Sequence, residues 1–120
     1  MRFLSSQFLL WSIFTASVAS AQDMQVYINS VDSRVTESNS SWQKHSWQID
    51  IRNMEQEQLA CRVTVEWLDR DGFVVDDDDE RVSLRCCGAT DHFRGYALIS
   101  QPAAQSVVSV SAKASCAPRR

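Results

Sequence analysis

The sequence predicts an all-β protein: an immunoglobulin-like antiparallel β-sandwich of about seven short strands. Three observations support this. Apolar and polar residues alternate with period two in one stretch after another, clusters of turn-forming residues separate the stretches, and no window carries the apolar spacing of an amphipathic helix. A small closed β-barrel would meet the same pattern and is the alternative fold.

Residues 24–28 open the pattern with Val26 and Ile28 on one side, and residues 29–41 are polar and serine-rich, which predicts a loop or an irregular edge. Trp47, Ile49 and Ile51 alternate with Gln48, Asp50 and Arg52, giving a strand with its apolar face inward. The clearest signal lies in residues 59–80. Leu59, Cys61, Val63, Val65 and Trp67 face one way, with Ala60, Arg62, Thr64 and Glu66 opposite. Asp69-Arg70-Asp71-Gly72 supplies turn chemistry, and Phe73, Val74 and Val75 start the return strand of a β-hairpin. Asp76, Asp77, Asp78, Asp79 and Glu80 then repel one another, which predicts a solvated loop. Further strands are expected over residues 81–86, 93–99 and 107–116, the last with Val108, Val110, Ala112, Ala114 and Cys116 inward.

Residues 1–21 have the form of a secretory leader: Arg2, an apolar run over residues 8–14, and a small-residue cleavage pattern at Ala19-Ser20-Ala21. Cleavage there leaves one domain over residues 22–116 and a short tail over residues 117–120. Arg2 is the only charged residue of the leader, so the 12 basic residues become 11 against 15 acidic ones, a net charge of −4. That balance disfavours nucleic acid and anionic membrane as partners, both of which select basic surfaces. No second long apolar run follows the leader, so no membrane span is expected after cleavage, and the predicted location is outside the cytoplasm, periplasmic or secreted.

All four cysteines, Cys61, Cys86, Cys87 and Cys116, fall beyond the leader, and an even count in a short exported chain predicts disulfides. Cys86 and Cys87 are adjacent, and pairing them would close a strained eight-membered ring, so the expected frameworks join one of them to Cys61 and the other to Cys116. The usual sandwich strand order puts Cys86, Cys87 and Cys116 at one end and Cys61 at the other, which favours a bond from Cys116 to Cys86 or Cys87. The spacings do not suit zinc, and neither a metal nor a cofactor is expected.

The candidate partner-binding residues are the acidic run, Asp76, Asp77, Asp78, Asp79 and Glu80, and Trp42. The run could steer a basic protein, hold calcium through its oxygens, or simply solubilise an edge. The EF-hand pattern fails, because its first ligand position falls on Trp67. Trp42 lies outside the clean alternation, beside Lys44 and His45, as either a contact residue or loop packing. His45 and His92 are the only histidines, and no serine sits in a nucleophile elbow, so no enzyme activity is expected.

The strand Trp47-Gln48-Ile49-Asp50-Ile51-Arg52-Asn53 and the hairpin from Val63 through Asp69-Arg70-Asp71-Gly72 to Val75, followed by Leu84, Gly88 and Phe93, resemble FxLYD-type and related small bacterial envelope domains. The resemblance covers residues 46–114. It implies an immunoglobulin-like sandwich and a binding or scaffolding role, and Cys86-Cys87 stands where such domains have Pro-Gly. The expected function is an exported, non-catalytic protein-interaction module, such as an accessory subunit of an envelope or secreted assembly. An inhibitor of a cationic hydrolase such as lysozyme and a calcium-binding domain are the alternatives.

Overall fold

The computed structural model describes residues 24–119, so the predicted leader and Arg120 of the tail lie outside the described residues. Among the described residues six strands and one helical turn follow in order: β1 (Val26–Ser38), β2 (Trp42–Asn53), β3 (Leu59–Leu68), β4 (Val74–Leu84), β5 (Ala89–Ser100), α1 (Gln101–Ala104) and β6 (Ser109–Pro118). They form two three-stranded sheets, β1-β2-β5 and β4-β3-β6, with every pairing antiparallel. The inner faces pack as a sandwich around Trp47, Ile49 and Ile51 of β2, Leu59, Val63, Val65 and Trp67 of β3, and Leu84, Ile99 and Ala114. These are the inward positions of the predicted alternation on β2, β3 and β6.

The strands are fewer and longer than expected, for two reasons. Residues 29–38 continue β1, because a register shift between Ile28 and Ser30 places Val26, Ile28 and Val31 opposite Asn53, Ile51 and Ile49 in turn. The shift hides the period-two pattern, so this part of the expected loop is strand. The acidic run is also strand, which corrects the expectation of a solvated loop. Residues 74–84 pair with β3 without a break from Asp76 opposite Trp67 to Leu84 opposite Leu59. The carboxylates are divided between the two faces of an edge strand, which leaves their charge accessible to water.

The disulfides are Cys61–Cys116 and Cys86–Cys87, which corrects the favoured bond from Cys116 to Cys86 or Cys87. β6 runs antiparallel to β3, so β6 ends where β3 begins and Cys116 lies directly opposite Cys61, with Cα atoms 4.1 Å apart. With Cys61 satisfied across the ladder, the adjacent pair closes on itself in the β4–β5 turn. Cys87 takes a positive φ of 73° there, held by hydrogen bonds from the Cys87 and Gly88 amides to the carbonyls of Glu55 (2.9 Å) and Asn53 (2.7 Å). The fully buried Asn53 fastens the same end. Its Nδ2 donates to the carbonyls of Glu57 and Arg85, both at 3.0 Å, and its Oδ1 accepts from the Glu55 amide at 2.8 Å. The chain thus has a stapled cysteine end and an opposite end made by the β1–β2 turn, the β3–β4 turn and α1.

Candidate functional site

The β3–β4 turn forms as its sequence dictates. The Asp69 carboxylate accepts from the Asp71 and Phe73 amides at 2.9 and 3.0 Å, and the Gly72 amide donates to the Asp69 carbonyl with φ at +85°, a backbone conformation open to glycine. This geometry holds Phe73 at the tip of the hairpin, 70% exposed. On the other side of β3, the Val108 amide donates to the Leu68 carbonyl at 2.8 Å, and Val108 is 65% exposed. Phe73 and Val108 therefore flank the last residues of β3, separated by two strand spacings, or roughly 10 Å.

The acidic run begins at this end. Asp76, Asp78 and Glu80 take inner-face positions opposite Trp67, Val65 and Val63, while Asp77 and Asp79 point outward. Asp78 accepts a hydrogen bond from the Trp47 indole at 2.8 Å across the two sheets, and Asp79 accepts from the Thr64 hydroxyl at 2.6 Å. The Asp76 carboxylate accepts from the Asp77 amide at 2.8 Å, so three of the five candidate acids are hydrogen-bonded, and Asp77, Asp79 and Glu80 are exposed. Among the described residues, no group of three or more His, Cys, Asp or Glu side chains is placed to hold a metal ion.

Trp42, the other candidate, is half-buried on the outer face of β1-β2-β5. Register puts it opposite Ser100, with Lys44 opposite Leu98 and Ser46 opposite Tyr96 on the same face. Tyr96 and Leu98 are each about half exposed, and the Lys44 ammonium lies 4.4 Å from the Tyr96 ring centre. The sequence reading named neither of these two residues, nor Phe73 and Val108, as contact candidates. Phe73, Tyr96 and Leu98 are apolar residues at turn or outward positions, which single-face alternation does not single out. Val108 corrects the expectation of an inward residue: it lies just before β6 begins at Ser109 and is exposed.

No family model and no curated protein matches the chain. Among solved structures it is similar to a β-glucuronidase from glycoside hydrolase family 2, with 17% identity and a TM-score of 0.54, over 60% of this chain and 7% of the enzyme. The chain therefore corresponds to only a small part of that enzyme. It is also similar to cj0090 of Campylobacter jejuni, with 18% identity and a TM-score of 0.43, over 72% of this chain and 82% of the other. At such identities the enzyme likeness is one of β-rich fold.

The two histidines have structural surroundings. His45 is buried, bonded through Nε2 to Gln43 Oε1 at 3.0 Å and set edge-on to Trp67 at 6.0 Å between ring centres. Burial lowers its pKa from 6.5, against a smaller raising effect of the nearby Asp76 charge. His92 Nδ1 meets Asp50 at 2.5 Å, and Ser30 donates to the same carboxylate at 3.1 Å. The hydrogen bond from His92 is the main cause that lowers the Asp50 pKa. The order is Ser–Asp–His, with the carboxylate between the other two. In a nucleophilic triad the histidine must stand in the middle to take the serine proton. Asp91, the sequence neighbour of His92, instead pairs with Arg85 at 2.7 Å.

Proposed function

We propose that the chain is an exported, non-catalytic protein-interaction module of the periplasm or extracellular space, and that it binds its partner with the end formed by the β3–β4 turn and the start of β6. One observation carries the reading: two large apolar side chains, Phe73 and Val108, stand exposed at that end, beside the exposed carboxylates of Asp71 and Asp77. Exposed apolar residues ringed by charge are typical of contact surfaces, where a few such side chains supply most of the binding energy. The partner's complement is an apolar patch with a basic rim, and the carboxylates speed its encounter. Two disulfides fit an oxidising compartment, and the resemblance to FxLYD-type modules points to a binding role as well.

The test is co-purification of the tagged protein from its native source, comparing the unaltered chain with a Phe73→Ser/Val108→Ser variant. A protein that is retained by the unaltered chain, released by salt and lost with the variant supports the proposal. Equal retention by both proteins would refute it.

A further inference from the structure

The outer face of the β4-β3-β6 sheet has an opposite electrostatic character near the cysteine end. There Ala60, Arg62, Arg81, Val82, Ser83 and Arg119 surround an open recess of about 480 Å³, with Cys61 also contributing to its wall. Arg62 of β3 and Arg81 of β4 are direct cross-strand partners. Like charges in directly opposed positions of an antiparallel pair destabilise it. Among the described residues, neither guanidinium has an ion pair or a side-chain hydrogen bond. Lys113, on the same face, does have a carboxylate, Glu66 at 3.3 Å. The third arginine is held at the rim. The Arg119 amide donates to the Gln58 carbonyl at 3.0 Å and its guanidinium donates to the Ser83 hydroxyl.

We propose that this recess is an oxyanion-binding site that takes the phosphate group of a ligand, with Arg62, Arg81 and Arg119 as its binding residues. A guanidinium presents a fork of N–H donors that matches two oxygens of one anion, and these hydrogen bonds are among the strong ones. A carboxylate has two oxygens and satisfies one fork. Three guanidinium groups around one recess suit a dianion with three free oxygens, as in a phosphate monoester. Binding places negative charge between Arg62 and Arg81 and removes the repulsion built into the empty ladder. The face is separate from the Phe73 and Val108 end, so the site stands apart from the partner-binding role.

The test titrates the oxidised protein with inorganic phosphate at ionic strength held constant with sodium chloride, following backbone amide resonances. Amides of β3 and β4 around Arg62 and Arg81 should shift saturably. Arg62→Gln/Arg81→Gln should weaken binding roughly tenfold or more, the loss of charge-assisted hydrogen bonds, and Lys113→Gln should leave it unchanged. Without phosphate, the double variant should melt no lower than the unaltered protein, which separates lost binding from lost folding. A second arm uses phosphatidylcholine vesicles with and without phosphatidic acid. Binding only to the phosphatidic acid vesicles, lost in the double variant, identifies a lipid headgroup as the source of the phosphate. Saturable binding of inorganic phosphate without vesicle binding identifies a soluble ligand. The proposal is overturned if the unaltered protein binds neither probe better than the double variant does.

Discussion

Gly95→Ala should destabilise the protein far more than a half-buried glycine on an edge strand would suggest. Gly95 lies opposite Trp47 in the β2–β5 pairing, and the indole lies across the space that a side chain would fill. A Cβ at residue 95 would come within 2.4 Å of Trp47 Cζ2 and 2.6 Å of Cε2, about 1 Å short of the 3.4 Å at which ordinary contact begins. Trp47 has nowhere to retreat, since it is 3% exposed and its indole N–H is bonded to Asp78 at 2.8 Å. Overpacking costs about 1–3 kcal/mol, and losing a hydrogen bond to a charged group costs about 1.5–3 kcal/mol more. The smaller entropy of an unfolded chain with alanine offsets about 0.4–1 kcal/mol. The net loss is about 3 kcal/mol, which lowers the melting temperature of a domain this size by roughly 15 °C. Urea and thermal unfolding followed by tryptophan fluorescence would measure it. In a Trp47→Leu background the same substitution should cost less than about 0.5 kcal/mol, because the ring it strikes is gone. An equal cost in both backgrounds, or a melting temperature unchanged by Gly95→Ala, would refute the reasoning.

Removal of the Cys61–Cys116 bond by alanine at both positions should cost about 4 kcal/mol of stability, measured by urea unfolding, since it frees a loop with a sequence separation of 55 residues. The intact mass of the oxidised protein should lie four hydrogens below that of the reduced protein, one pair for each disulfide. Asn53→Ala should cost about 3 kcal/mol in the same assay, because it leaves one amide and two carbonyls short of a partner at a fully buried position. His45 has its folded pKa below the unfolded value of 6.5, so the unfolded state binds the proton first. Its contribution is present above the unfolded pKa and is lost as pH falls through the folded pKa. Stability should therefore drop as pH falls below about 6.5, and His45→Gln should flatten that part of the profile.

The sequence carried the core because β2, β3 and β6 each bury one face and leave the other in water, which writes burial directly into residue order. It carried only the start of β1 and the two ends of β4, and missed the rest for opposite reasons. In β1 a bulge moves the apolar residues out of phase, so Ile28 and Val31 share a face at an odd spacing. In β4 the inner positions at the end away from the cysteines are filled by Asp76 and Asp78, and no count of apolar residues finds a strand there. The strand is imposed by its neighbours, through the ladder of the β3–β4 hairpin and the Trp47–Asp78 bond, the second of which joins residues far apart in the chain. The disulfides failed on topology. Cys61 seemed to lie at the far end from Cys116 until antiparallel pairing placed the start of β3 beside the end of β6. Trp42 and the acidic run were legible as unusual residues. The exposure of Phe73 and Val108 depends on how the turn and the α1–β6 link leave the sheet, and alternation does not report that.

The position of the acids on β4 also bears on which surface can receive a partner. With three strands in each sheet, β1, β5, β4 and β6 are edges among the described residues, and strand addition to one of them is the simplest route to association. Each edge is obstructed. β1 has two register shifts, between Ile28 and Ser30 and between Val35 and Glu37. β4 turns carboxylates toward the inner face, where an added strand would have to bury them. β6 has Lys113 at its centre, and on β5 the Arg85 guanidinium donates to the Thr90 carbonyl while bonding Asp91. Bulges, inward charges and an edge lysine are the means by which β-proteins avoid edge-to-edge pairing. The acidic run therefore has two effects from one position: it closes an edge to indiscriminate pairing, and its first residues add negative charge beside Phe73. Under the binding role proposed above, a partner would then be met at the end of the sandwich, through side chains, rather than along an edge through the backbone.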